Sequence, residues 1–358
     1  MKRTAIITFH RALNYGAILQ AYALQETLRF RGKPSELIDY RCAHLESIYK
    51  PFSFAHCTSI AGKIKKCLKS GQLRKKRKQF DRFTRRYLHT SRPCDAYNVE
   101  VVAGKYENII TGSDQVFSLE ATGGDLNYYL PFCRDNQRKY AYAASFGSDH
   151  IDPRYAEEAM HLLESFDEIS VRERTGAMIV REALKRKATV ALDPTLLLSE
   201  EQWAAVAKAP KKHPEKYILV YMMDGGSLVL DKAFACAQEL SCDIVILNPT
   251  LKQQLKHRDC WLYPTASPEE FVWLFQNAEK VVTNSFHGTA FSLIFHKDFF
   301  VEISNREKGS RISDLLSMLR LEDRLLPGEA TENVDWDRVE RYLTMPKEDS
   351  LRFIDTIG

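Results

Sequence analysis

Apolar residues fall along the chain in short strand-like runs that alternate with longer stretches of helical spacing. Residues 5–9 (AIITF) form the first run. Beyond it, Ile18, Ala21, Tyr22, Leu24 and Leu28 recur at near-helical spacing until Arg31 and Gly32 stop the helix. Strand character resumes over 34–40 (PSELIDY), and a β-α-β opening of this kind predicts a parallel sheet covered by helices. Further strands are expected over 107–111, 139–145, 168–171 and 188–191, with helices after Pro153 and over 177–185. Asp193-Pro194 closes this series; a Ser199-capped helix and the polar linker APKKHPEK then lead to a second one. Its strands are 217–222, 243–247 and 281–283, and its helices follow Gly226 and Ser267, the latter opening the capping box SPEE. One more helix spans 310–319.

These patterns predict an α/β protein of two doubly wound domains, 1–193 and 194–331, with a helical tail over 332–358 that can return to the first domain. The length, 358 residues, independently exceeds one ordinary core. In open α/β sheets the ligand lies at the carboxyl edge of the strands, so two facing edges make a cleft suited to a phosphorylated substrate.

Several polar clusters fall at such edges. In the stretch VVTNSFHGTAFSLIFHK, Asn284 and Ser285 can cap a helix, and Gly288 lets it start close to a ligand. His287 then sits where free backbone N–H groups and a helix dipole favour phosphate or carboxylate. The alternative for His287 is a satisfied histidine in a strand-to-helix turn. Gly112-Ser113-Asp114-Gln115 follows the strand ENIIT, His10 to Tyr15 follow the first strand, and Arg172 follows EISV. Read singly, these are a turn, a turn and a surface arginine. Residues 305–311 (NREKGSR) add Arg306, Lys308 and Arg311 around a glycine, which suits an anion or simple helix capping.

Composition narrows the function classes. At 44% apolar and 27% charged residues the chain is an ordinary globular protein. The basic start is followed by too short an apolar run for a secretory leader, and no run approaches a membrane span, so a cytoplasmic protein is expected. Eight scattered cysteines without a C-x-x-C pair suit cytosolic thiols better than disulfides or zinc. Walker A, G-x-G-x-x-G, H-E-x-x-H and G-x-S-x-G are all absent, and carboxylates and histidines do not cluster at metal spacing, so a metal-independent reaction is expected.

The net charge of +4 hides a segment, residues 63–92, with thirteen Lys or Arg against Asp81 alone. An apolar stripe through Ile60, Ile64, Leu68, Leu73, Phe80, Phe83 and Tyr87 backs this basic face, and Gly71 is expected to split the stretch into two helices. A solvated charged face is one reading of 59–92. Binding to an anionic membrane surface, centred on the run Arg74 to Lys78, is the other. No helix-turn-helix, zinc-finger or aromatic RNA-binding signature accompanies the charge, so nucleic acid is not expected.

Taken in order, ITFHRALNYGAILQAYALQETL, IITGSDQVF, SVRERTG, ALDPTLLL and VVTNSFHGTAFSLIFHK resemble the successive motifs of the polysaccharide pyruvyl transferase family over nearly the whole chain. The resemblance implies two Rossmann-like domains facing across a cleft, similar to B-type glycosyltransferases. It also implies phosphoenolpyruvate as co-substrate without metal or further cofactor, and transfer of a pyruvyl group to a pair of sugar hydroxyls as a cyclic ketal. By this resemblance His287 and Arg172 are the catalytic or donor-binding residues. The phosphoenolpyruvate side is the second domain, where Arg311, Lys308, Ser285, Gly288 and Thr289 are donor-binding candidates. His10, Asn14, Tyr15, Ser113, Asp114 and Gln115 are the acceptor or cleft candidates of the first domain. Asp298 departs from the family pattern, which usually has proline there. The acceptor implied is a saccharide of a surface polysaccharide precursor, carried on a polyprenyl diphosphate at the inner face of the membrane. A nucleotide-sugar glycosyltransferase and a non-catalytic biosynthetic partner remain the alternatives.

Overall fold

In the first of two parallel sheets, the strands are β1 (Thr4–Ile7), β2 (Ser35–Leu37), β3 (Asn108–Thr111), β4 (Arg138–Ala144), β5 (Glu168–Val171) and β6 (Thr189–Val190), arranged β2-β1-β3-β4-β5-β6. Those of the second are β7 (Tyr217–Tyr221), β8 (Asp243–Leu247), β9 (Trp261–Tyr263), β10 (Lys280–Thr283) and β11 (Asp298–Val301), arranged β11-β10-β7-β8-β9. The computed structural model describes residues 3–49, 60–223, 227–304, 309–328, 330 and 332–358, with 60–66 described by backbone alone. Central strands such as β1, β3, β7 and β10 are buried because helices cover both faces, which is why their sequences read as continuous apolar runs. Neighbouring strands pair in parallel, Ile6 of β1 beside Ile110 of β3 and Val282 of β10 beside Val220 of β7. β9, only three residues and all of them half-buried, carries too short a pattern to stand out in the sequence.

The long basic helix Ile60–Tyr87 differs from expectation. It is continuous through Gly71, where a Cβ would meet no atom within 4 Å, so that glycine is an exposed helix position and not a break. Phe80 and Phe83 point into the core, whereas Arg74, Lys75, Lys78, Arg82, Arg85 and Arg86 are exposed. Lys76 and Arg77, expected on that outer face, turn inward: Lys76 is buried and Arg77 donates to the Tyr49 carbonyl. The helix also ties the two sheets together. Gln72 donates to Gln254, Lys76 to Asn248 and Gln79 to the Thr265 carbonyl.

Tyr15 adds a second tie from the start of the helix Tyr15–Phe30. Its hydroxyl donates to the Ala266 carbonyl at 2.8 Å, and its ring stacks on Phe271 at 4.8 Å. The tail helix Trp336–Thr356 does return to the first domain: Ser350 accepts from the Leu192 N–H, and Arg31 pairs with Asp355. Among the described residues no helix is long and apolar enough to cross a membrane.

Candidate active site

Turns from both sheets converge at their carboxyl edges. Ser113 and Asp114 follow β3, Arg172 follows β5, and Asp193 lies just past β6 in the first domain. Asn284 to His287 follow β10 in the second, and Arg311 lies in the first turn of the helix Ser310–Leu319. The helix after β10, Phe286–Ile294, begins without a side-chain cap: Ser285 occupies the cap position, but its hydroxyl makes no cap bond, contrary to the role expected of it. The uncapped start of this helix, Ser285 to His287, lines the cavity, an arrangement that suits an anion.

Asp193 is the hub. Its Oδ2 accepts from Arg172 at 2.7 Å and from the Ser113 hydroxyl at 2.9 Å, and stands 3.6 Å from His287 Nε2. Its Oδ1 accepts from the Thr195 N–H and hydroxyl at 3.0 and 2.8 Å. Burial alone would raise the pKa of this carboxyl, but His287, Arg172 and the Thr195 N–H outweigh burial and hold it far below the usual carboxylate range. A fixed anion thus orients one guanidinium and one imidazole.

Arg172 keeps donors in reserve. Only 6% exposed, it lies 4.7 Å over the Phe286 ring and 3.7 Å from Asp114 Oδ1, yet its Nε and Nη2 have no hydrogen-bond acceptor among the described residues. His287 Nε2 is likewise buried without a hydrogen-bond partner among the described residues. Buried donors of this kind are costly unless a ligand satisfies them. Arg311 joins them from the other domain; burial and then the like charge of Arg172 lower its pKa to about 10. Beside both guanidinium groups, Glu173 has its pKa raised by burial despite them. His287 and Arg311 line a cavity of about 320 Å3 with Asn14, Asp114, Gln115 and Ser285, while Arg172 lines a neighbouring pocket with Asp193, Phe286 and Arg311, the last two shared between the two cavities. Among the described residues no cluster of metal-ligating side chains occurs.

Glycines set the contacts behind the site. A Cβ on Gly16 would fall 2.0 Å from His287 Nδ1, so the first-domain helix can meet the imidazole only because residue 16 has no side chain. Gly288 serves packing rather than ligand approach, since its Cβ would meet Thr283 Oγ1 at 2.2 Å.

The expected residues divide accordingly. Arg172, His287, Ser113, Asp114, Gln115, Asn14, Ser285 and Arg311 meet around this cavity or the carboxylate behind it. Asn14 also caps the first helix, accepting from the Gly16 and Ala17 N–H groups. Thr289 turns away, bonding the Ser285 carbonyl within its helix. His10 also lies apart, its Nδ1 3.3 Å from the Thr8 carbonyl and its Nε2 3.6 Å from Asp39. Tyr15 borders a neighbouring cavity. Lys308 and Arg306 fall in 305–308, outside the described residues. Asp193 and Gly16 are the additions. Asp193 was visible only as a domain boundary inside ALDPTLLL, and Gly16 only within NYGA.

Two parallel α/β domains with a site between their carboxyl edges define a B-type glycosyltransferase architecture. A UDP-N-acetylglucosamine 2-epimerase assignment from Listeria monocytogenes shares it, at a TM-score of 0.51 and 10% identity over 98% of this chain and 90% of that one. The Escherichia coli ADP-heptose heptosyltransferase II aligns at 0.41 and 10% identity, over 97% and 99% of the two chains. None of the curated proteins matches the sequence. The family model of polysaccharide pyruvyl transferases matches residues 14–303, and the chain belongs to that family. Membership implies a transferase that moves a pyruvyl group to a polysaccharide.

Proposed function

We propose that the protein transfers the pyruvyl group of phosphoenolpyruvate to two hydroxyls of one hexose, forming a cyclic ketal and releasing phosphate. The observation that carries this reading is the set of buried nitrogens without hydrogen-bond partners among the described residues, Arg172 Nε and Nη2 and His287 Nε2, held on Asp193 beside a helix N-terminus without a side-chain cap. A small ligand with both phosphate and carboxylate would satisfy them, and a planar guanidinium is the preferred partner for either group.

The reaction balances on this site. C3 of the enol takes a proton as the first sugar hydroxyl attacks C2 and gives up its own. The C2–O bond to phosphate then breaks, the oxygen leaving with the electron pair. Attack by the second hydroxyl closes the ketal, and its proton goes to the released phosphate. Imidazole is suited to such transfers, and His287 would hold and pass the proton at Nε2. Arg172 and Arg311 would hold the anionic groups, with Asp193 keeping Arg172 and His287 in place.

Phosphate release from phosphoenolpyruvate, followed with a panel of galactose- and glucose-containing acceptors and with product mass, tests the reading. Acceptor-dependent release with the mass gain of a pyruvyl ketal is expected. Arg172→Lys, which keeps the charge but loses the fork, should weaken phosphoenolpyruvate binding about 10- to 100-fold by calorimetry. Unaltered binding in that variant would remove Arg172 from the donor site.

The acceptor in this reading is carried on a polyprenyl diphosphate, and the exposed cations of the helix Ile60–Tyr87 hold the enzyme at anionic lipid. Replacing Arg74, Lys75 and Lys78 by glutamine should lower binding to phosphatidylglycerol vesicles several-fold at low salt and flatten its salt dependence, each cation near the surface being worth roughly 1 kcal/mol. Unchanged sedimentation with vesicles would leave these residues as a solvated face.

A further inference from the structure

A second cavity of about 550 Å3 adjoins the first, the two sharing Asn14 and Met223. Its walls come from both domains and from the long helix. Lys69, Lys76 and Lys252 line it, and among the described lining residues there is no Asp or Glu. Tyr15, Tyr49 and Tyr221 supply an aromatic side. The size lies within the range of small-ligand sites.

Lys76 ties the sheets through Asn248, but that bond alone does not account for its buried charge. Lysine is seldom fully buried unless paired with an acid, and this one is 8% exposed with no carboxylate partner among the described residues. Its Nζ donates to Asn248 Oδ1 at 2.8 Å and stands 4.6 Å from the Tyr15 ring centroid. An ammonium has three donors, and Asn248 takes one of them. Asn248 itself adopts a left-handed backbone (φ 56°) at the end of β8, a conformation asparagine tolerates better than most residues. Burial lowers the Lys76 pKa to about 7, the signature of a cation lacking a counter-charge.

We propose that this cavity binds the acceptor saccharide and that Lys76 recognises an anionic group on it, a phosphate or a carboxylate adjoining the sugar that receives the ketal. This inference rests on the donor reading only in assigning phosphoenolpyruvate to the first cavity. The anion would supply the counter-charge that Lys76 lacks among the described residues, while the tyrosines offer faces for a sugar ring.

Ligand-observed NMR titration of the full chain, with and without phosphoenolpyruvate, tests this. The probes are galactose, galactose 1-phosphate and galacturonate, each beside its glucose counterpart. Wild type should bind an anionic probe at least about tenfold more tightly than the neutral sugar, the scale of one charged hydrogen bond. Lys76→Met should reduce that advantage to less than about threefold, with phosphoenolpyruvate affinity within twofold of wild type. Whether the phosphate or the carboxylate probe binds tighter identifies the group. Because methionine fills similar space without a buried charge, the variant's unfolding midpoint should equal or exceed that of wild type, which separates lost recognition from lost folding. Equal binding of neutral and anionic probes, no binding of any probe, or an undiminished preference in Lys76→Met would overturn the inference. A phosphoenolpyruvate affinity that falls with Lys76→Met would overturn it too, placing the donor in this cavity. Failure of wild type to bind phosphoenolpyruvate at all would sink the donor reading, while the sugar comparison would still decide the role of Lys76.

Discussion

His287→Ala is expected to lower the rate of acceptor-dependent phosphate release about 10²- to 10⁴-fold, the usual contribution of a positioned acid-base group. Phosphoenolpyruvate affinity should change only a few-fold, because Arg172, Arg311 and the helix N-terminus remain to hold it. The expectation comes from geometry: His287 is buried, its Nε2 has no hydrogen-bond partner among the described residues, and Asp193 Oδ2 stands 3.6 Å away. Folding should survive, since the ring leaves a small cavity at the border of an existing one. Steady-state phosphate release read beside calorimetry separates the two effects. A turnover rate within threefold of wild type would remove His287 from the chemistry, whereas a large loss of affinity at unchanged turnover would make it a binding residue. If His287 is only a satisfied histidine in a turn, neither quantity should move.

Much of the framework was legible because each edge turn follows a strand whose apolar run is contiguous in sequence. Arg172 and His287 could be placed at carboxyl edges from EISV and VVT alone. Their meeting on Asp193 could not. Asp193 lies 21 residues from Arg172, and in ALDPTLLL an aspartate before proline is first read as a turn or a cap, which it also is through Thr195. What gives it a further role is the position of β6 at the sheet's edge, a long-range fact. Local pattern misleads in a different way for Lys76. Within RKKRK it resembles its neighbours, and only the packing of the helix against Asn248, 172 residues later, takes it out of water. His10 shows the converse: the edge position was readable, but its pairing with Asp39 depends on how β1 and the chain after β2 lie together.

Gly16→Ala should abolish most activity although residue 16 has no side chain to offer a substrate. The new Cβ would stand 2.0 Å from His287 Nδ1 and 2.3 Å from Cγ, far inside any contact that real atoms adopt. Either the imidazole or the start of the helix Tyr15–Phe30 must shift. The helix is held by Tyr15, whose hydroxyl bonds the second domain and whose ring stacks on Phe271, and by the Asn14 cap. The imidazole, with one 3.6 Å approach to Asp193 and an edge contact to Phe286 at 5.3 Å, is the softer element. It should therefore swing away from Asp193, and a displacement of about 1 Å in a reacting group is enough for a loss near 10²-fold. Stability should change less. Overpacking costs roughly 1–3 kcal/mol, while alanine recovers up to about 1 kcal/mol of helix propensity over glycine. A thermal melt close to wild type with turnover reduced about 100-fold is the expected pair of results. Turnover within twofold of wild type would show that the imidazole can move without consequence, and would count against His287 as the proton-transfer group as strongly as an active alanine variant at position 287.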